Sequence, residues 1–465
     1  MKRSSWLVAV ALVLALVASA CGSNRSDDDT SNASGSGSSS ETTTAPATST
    51  KFGDLESPCG KGDAKGATDK GVTDTDITIG YGDDAGYSAS PGLSHETSDA
   101  MKAFIKWCND QGGINGRQIV GKYYDAKITD VSNAATQACN DGVFMLVGQA
   151  WALDNAQEDI RLGCDLPSVP TYSVTADFAH APLMYVSVPN PVDVISAEFA
   201  AGMAKLFPAK IKKASVVFGN FAATRDTKDK YEAAYSKFGF QFSCDQEYNI
   251  LGEADWKPIA QKLKECGTQV VVYSGQAYPN GQNLLDAAAQ VGFKAVWMWD
   301  ANNYLDTFAK WNTNGNGDQN YFRTVYAPFE QADINPATQQ YIDIVKTNGG
   351  DISQLGEQTA SSFLLWATAV KACGSTVTRQ CVLDELKNTH EWTGGGLHVE
   401  TDPGANMPPT CGMILKMTGQ KYEQAYPEKK GEFDCSPEYA VKISGPVVDA
   451  AKLDANRITT LHKKG

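Results

Sequence analysis

The sequence predicts an α/β protein of two doubly wound lobes that face each other across a cleft. Three observations carry this. Short apolar strands alternate with amphipathic helices from about residue 76, the alternation restarts after Pro191, and the body from Val72 onward is longer than single cores usually grow.

The first strand is "DITIGY" (76–81). Behind it Met101, Phe104, Ile105 and Cys108 stand at i, i+3, i+4 and i+7, one apolar stripe of a helix that His95-Glu96 opens. Gly112 and Gly113 supply a left-handed stop, and Gln118–Asp125 reads as the next strand. A second stripe follows at Val131, Ala134, Ala135 and Ala138, with Asp130 as N-cap; "VFMLVG" (143–148) then reads as a strand buried on both faces. A third helix in "NAQEDIRL" precedes "VPTYS". Such alternation predicts a parallel sheet covered by helices.

After Pro191 a helix is expected over 192–207. The pattern then restarts with strands "ASVVFG" (214–219), "FQFSCDQEY" (240–248), "QVVVYSG" (269–275) and "AVWMWD" (295–300), and with helices centred near 230, 260, 286 and 308. Trp297 and Trp299 alternate with Val296 and Met298, so both faces of that strand should be core. Helices at 335–347 and 357–372 and a β-rich tail complete the chain. Lobe 1 is expected over 72–191 and 326–395, and lobe 2 over 192–325 and 396–460. Ligands of such sheets sit at the carboxyl ends of the strands.

The amino end carries its own signals. Lys2 and Arg3 precede an apolar run, Trp6–Ala20, that is short for a bilayer span and ends in small residues, so residues 1–20 read as a secretory signal peptide. "LVASAC" resembles the lipobox of bacterial lipoproteins, although Ala18 stands where leucine is usual. That resemblance implies lipid on Cys21 and a place on the outer face of the cell membrane, or in the periplasm. Gly22–Thr50 contains no Val, Ile, Leu, Met or aromatic residue and cannot offset its ordering entropy by burial, so a disordered tether is expected, drawn over 21–71.

Eleven cysteines less Cys21 leave ten, an even number that favours disulfides in an oxidising compartment. Sequence alone cannot choose among the pairings. Local pairing suggests Cys139–Cys164, Cys244–Cys266, Cys373–Cys381 and Cys411–Cys435, which leaves Cys59–Cys108. The net charge of −14 argues against nucleic acid as a partner. Neither H-E-x-x-H nor G-x-S-x-G occurs and the five histidines are scattered, so no metal, cofactor or catalytic residue is expected. His398, between Leu397 and Val399 on a strand, is expected at the surface.

Four blocks, "GVTDTDITIGY", "NDQGGINGRQIVGKYYDA", "VVYSGQAYPNGQNLLDAAAQVGFKA" and "HEWTGGGLHVETDPG", resemble in order and spacing the signature stretches of leucine/isoleucine/valine-type periplasmic solute-binding proteins of ABC transporters. The resemblance implies a type I periplasmic-binding fold: two Rossmann-like lobes joined by three hinge strands, closing over a small polar solute such as an amino acid or amide. It implies a monomer that hands the solute to an ABC permease and ATPase, without catalysis of its own. A ligand-sensing surface receptor of the same fold, or a secreted enzyme, is the alternative.

Site residues follow from the resemblance one position at a time. The loop "GDDAGYS" offers Asp83, Asp84, Tyr87 and Ser88, or is a solvated acidic loop. Where the family carries carboxylate-gripping serines, "GQAWALDN" has Gln149 and Trp151, which makes an ordinary branched-chain amino acid a poorer fit; Trp151 offers a flat face to a ligand or packs in the core. In "PTYSVTADF", Ser173 and Thr175 are hydroxyl donors or local caps. Phe221 and Tyr278 stand where aromatics cover the ligand, with Ala277 replacing the motif's second tyrosine. Asp300 stands where an acidic residue meets the ligand ammonium, or it caps the next helix.

Overall fold

The computed structural model describes residues 51–275 and 279–462. The leader, Cys21, the tether up to Thr50 and Tyr278 lie outside the described residues.

Four parallel strands, β1 (Asp76–Tyr81), β2 (Gln118–Tyr123), β3 (Leu146–Val147) and β4 (Ser168–Val169), form a sheet in the order β2-β1-β3-β4. β5 (Val194–Ser196) pairs with Ala440–Lys442. A larger sheet follows from β6 (Ala214–Gly219), β7 (Gln246–Tyr248), β8 (Val270–Ser274), β9 (Val296–Trp299), β10 (Asn320–Thr324), β11 (Cys411–Thr418) and β12 (Lys421–Tyr426), in the order β12-β11-β10-β9-β8-β6-β7. β6 to β10 run parallel; β11 runs antiparallel to β10 and β12 to β11. These are two Rossmann-like lobes, each a sheet between helical layers.

Strand β9 shows why the larger sheet is covered on both sides. Trp297 and Trp299 pack into one core layer with Phe293 and Phe308, while Val296 and Met298 enter the other layer with Phe199 and Met203. In lobe 1 the helix α1 (His95–Asp110) sets Phe104 against Phe363 of a 19-residue helix, Gln354–Ala372, which Ser353 caps by accepting from Gly356 N at 3.0 Å. Gly113, at φ +77°, makes the turn into β2; a Cβ there would lie 1.9 Å from the Arg117 carbonyl oxygen.

The cores show how the chain shares itself between the lobes. One unites Phe52 to Val169 with Val325 to Leu397; two others unite Ile195 to Phe322 with Met413 to Val441, and a small one sets Val447 and Ala451 of the tail, expected in lobe 2, against Ala176, Ala179 and Val192. Up to Val441 the chain therefore passes between the lobes three times, near 190, 324 and 405. The four locally suggested disulfides and the remaining Cys59–Cys108 all form, three in the first lobe and two in the second.

The structure differs from the sequence reading at six places. Residues 192–207 are strand then helix, because Val194, Ile195 and Ser196 pair with Ala440–Lys442 before the helix Glu198–Leu206 begins. Of 143–148 only Leu146–Val147 is strand, and 240–248 keeps only Gln246–Tyr248, since Cys244 takes a left-handed φ of 64°. Asp130 does not cap its helix through its side chain; Oδ1 accepts from Asn133 Nδ2 at 2.5 Å. Residues 51–71 are docked on lobe 1 rather than tethering it: Phe52 is fully buried, 5.5 Å from Phe104, and the Cys59–Cys108 bond holds the segment to α1.

His398 is the sixth difference. It is buried: Nδ1 donates to the Val399 carbonyl at 2.7 Å and Nε2 accepts from Ser361 Oγ at 2.8 Å, while Ser361 accepts from Trp392 Nε1 at 2.9 Å. Burial pulls its pKa down to about 4. A ring kept neutral in the fold stabilises above its unfolded pKa of about 6.5, and that contribution, roughly 3 kcal/mol, is lost as pH falls from 6.5 through 4. We expect His398→Gln to be less stable than wild type at pH 7.5, with the gap in melting temperature closing by pH 4.5. A gap that does not change with pH would contradict a neutral buried imidazole.

Candidate functional site

A cavity of about 460 Å³ lies where the carboxyl ends of strands from both sheets converge. Its size suits a small molecule. The first lobe supplies residues 90–96 before and into α1, Tyr172–Val174 after β4, and Ser353–Leu355. The second supplies Phe221 after β6, Gly275 after β8 and Asp300–Asn302 after β9. The strand ends fix these loops, so their side chains converge without being neighbours in sequence.

Charged groups gather on the second lobe's wall. Asp300 ends β9; its Oδ2 accepts from the Tyr231 hydroxyl, and its Oδ1 lies 3.5 Å from Arg323 Nη1. Arg323 Nη2 lies 2.6 Å from Glu198 Oε1, an ion contact off the hydrogen-bond line that leaves that oxygen without an aligned donor. Burial, with Asp300 adding to it, holds the Tyr231 hydroxyl well above its usual range and so protonated. Lys230, 1% exposed, lines the same cavity from helix Ala222–Tyr235, and its Nζ donates to Asn190 Oδ1 at 3.2 Å. Burial lowers its pKa to about 8.

Of the residues singled out from the sequence, Ser173, Phe221 and Asp300 line this cavity. Ser173 is the most pointed case, because its buried Oγ has no hydrogen-bond partner among the described residues.

Asp84, Tyr87, Gln149, Trp151 and Thr175 do not line it. Asp84 lies beneath the wall and clamps two loops, accepting from Ile128 N at 2.6 Å and Ala152 N at 2.7 Å; burial pushes its pKa up to about 7. Asp83 likewise accepts from Tyr123 at 2.6 Å and from Ala85 N at 2.9 Å. Gln149 donates to Ser168 Oγ, and Tyr87 is buried outside the cavity. Trp151 is 1% exposed within the cluster of Tyr124, Leu146 and Leu166. Thr175 caps the short helix Ala176–Ala179 and donates to Asp154. Ser88 is exposed.

Sequence reasoning did not single out Lys230, Tyr231, Arg323 or Asn190. A signal for the first two was present. Ala223, Thr227, Lys230, Tyr231 and Ala234 share one face of a helix at i, i+4, i+7, i+8 and i+11, so a lysine stands on a stripe that must be buried.

Comparisons with known proteins agree with this architecture. The family model described as periplasmic binding protein matches residues 76–421. The leucine-, isoleucine-, valine-, threonine-, and alanine-binding protein of Pseudomonas aeruginosa is 24% identical over 305 residues, which span 63% of this chain and 78% of that protein. The branched-chain amino acid transporter substrate binding protein LivJ of Streptococcus pneumoniae, solved with isoleucine, superposes with a TM-score of 0.62 at 14% identity, covering 75% of this chain and 98% of that one. A fatty acid ABC transporter substrate-binding protein from Thermomonospora curvata superposes with a TM-score of 0.63 at 17% identity, covering 82% and 97%. Members of this family are binding proteins that work outside the cytoplasm, and no described helix is long and apolar enough to cross a membrane. The family match covers the loops that bound the cavity and both sheets except the edge strand β12, and the chain belongs to the periplasmic binding protein family, with its type I two-lobed fold.

Proposed function

We propose that this protein is the solute-binding subunit of an ABC importer, lipid-anchored through Cys21, which captures a small solute by closing its lobes and hands it to a membrane permease. The observation that carries this reading is the cavity lined from both lobes, with the chain passing between them three times. Such a site is complete only when the lobes meet, so a ligand shifts the open and closed populations by its extra affinity for the closed state. The related proteins are named for amino acids in one case and a fatty acid in another, so an amino acid, amide or related compound is the class to test.

The decisive experiment is mass spectrometry of solute released from natively purified protein, followed by small-angle scattering with and without that solute. Compaction on binding is expected; no solute and no compaction would remove the reading. Asp300→Ala should weaken binding of that solute more than tenfold, because it releases both Tyr231 and Arg323 from their positions. Its melting temperature should fall little, since Arg323 keeps Glu198. Unchanged affinity would take Asp300 out of the site.

A further inference from the structure

We propose that Lys230, Asn190 and Ser173 form an anion seat in the cleft, so that the captured solute is a carboxylic acid whose carboxylate docks on them while an apolar body fills the rest of the cavity. This rests on the solute-binding reading above.

The first observation is a lysine with too few partners for its burial. Lys230 is 1% exposed, and the single hydrogen bond its ammonium makes among the described residues is to the neutral amide of Asn190. No carboxylate among the described residues lies within 4 Å of it, although a buried charge is costly unless paired. Asp226, Asp154 and Asp300 face it from farther off, with Arg323 adding a like charge. Each of those carboxylates is engaged elsewhere. Asp226 accepts from Ala176 N at 2.9 Å, Asp154 from Val174 N at 2.6 Å, and Asp300 holds Tyr231 and Arg323.

The second observation is independent of the lysine. Ser173 presents a buried hydroxyl at the same cavity with no partner among the described residues, and Asn190 Nδ2 donates to the Ser173 carbonyl at 2.9 Å, tying the two residues together. An ammonium and a free hydroxyl are donors, which is what a carboxylate needs. Leu93, Ile128, Phe221, Ile250 and Leu305 share the cavity and suit an apolar body.

The test is calorimetric titration of the full chain with straight-chain monocarboxylates of four to twelve carbons and their primary amides. At pH 7 we expect at least one acid to bind tenfold or more tightly than its amide. Lys230→Met should weaken that acid at least tenfold and weaken the amide several-fold less, because the amide loses a neutral hydrogen bond and no charge pairing. If the variant does not fold, wild type decides: acid affinity should be level up to about pH 8 and fall from there to pH 10, while amide affinity stays level, because only the charged lysine attracts the anion. Equal binding of acid and amide, an acid that survives Lys230→Met, or no acid bound at all would overturn the anion seat. A neutral or cationic solute found on native protein would also overturn it while leaving the solute-binding reading intact; absence of any solute and of compaction would remove both.

Discussion

Glu158→Ala should destabilise the protein by about 3–5 kcal/mol, the range for removing one partner of a buried ion pair. Arg161 and Glu158 are both fully buried, and the guanidinium grips the carboxylate with two bonds of 2.8 Å, from Nε and Nη2. Its remaining donors reach the carbonyls of Pro182 at 2.8 Å, Leu166 at 3.1 Å and Leu183 at 3.3 Å, so it also pins the chain on either side of β4. Without Glu158 the charge stays buried with only neutral acceptors. Urea unfolding followed by tryptophan fluorescence measures the loss. A double variant, Glu158→Ala with Arg161→Met, should recover much of it, because the uncompensated charge is then gone. A loss below about 1 kcal/mol for the single variant would mean that the three carbonyls suffice to hold the guanidinium.

Trp151→Ala is expected to cost about 3–5 kcal/mol, as large aromatic truncations in cores do, and to leave solute affinity within about threefold. The indole is 1% exposed, packs with Tyr124, Leu146 and Leu166, and donates from Nε1 to the Tyr124 carbonyl at 3.3 Å. That bond joins the loop after β3 to the end of β2. Deleting the ring opens a cavity under the site rather than in it. Comparing denaturation midpoint with titrated affinity separates the two roles; a large fall in affinity with stability kept would return Trp151 to the ligand.

The fold was legible because its signals are local. Apolar periodicity marked α1, Gly112 and Gly113 marked the turn, and uninterrupted apolar runs marked β6, β8 and β9. The alternation of Trp297 and Trp299 with Val296 and Met298 foretold core on both faces, and each pair does enter a separate layer. Where the reading differed, a distant partner decided. Val194–Ser196 is strand because of residues 440–442, and His398 is inside because Ser361, 37 positions away, gives its ring a bond.

The candidate site was legible only in part, for the same reason. The positions of Ser173, Phe221 and Asp300 follow from strand ends, which a sequence motif can mark. Asp84 and Gln149 stand in loops of the expected kind, yet their side chains turn inward to clamp backbone and neighbouring side chains. Direction of that sort depends on packing that no spacing encodes. Lys230 was hidden by the habit of reading lysine as surface, although its helix face argued otherwise.

The five disulfides join each cysteine from Cys59 onward to the next one along the chain. A polypeptide emerging amino end first would therefore meet its proper thiol as the very next to appear, and an oxidant acting in order of arrival would need no isomerase to correct it. Cys21 is the single residue able to throw that count off by one, and the acylation proposed for it would take it out of the queue before Cys59 arrives.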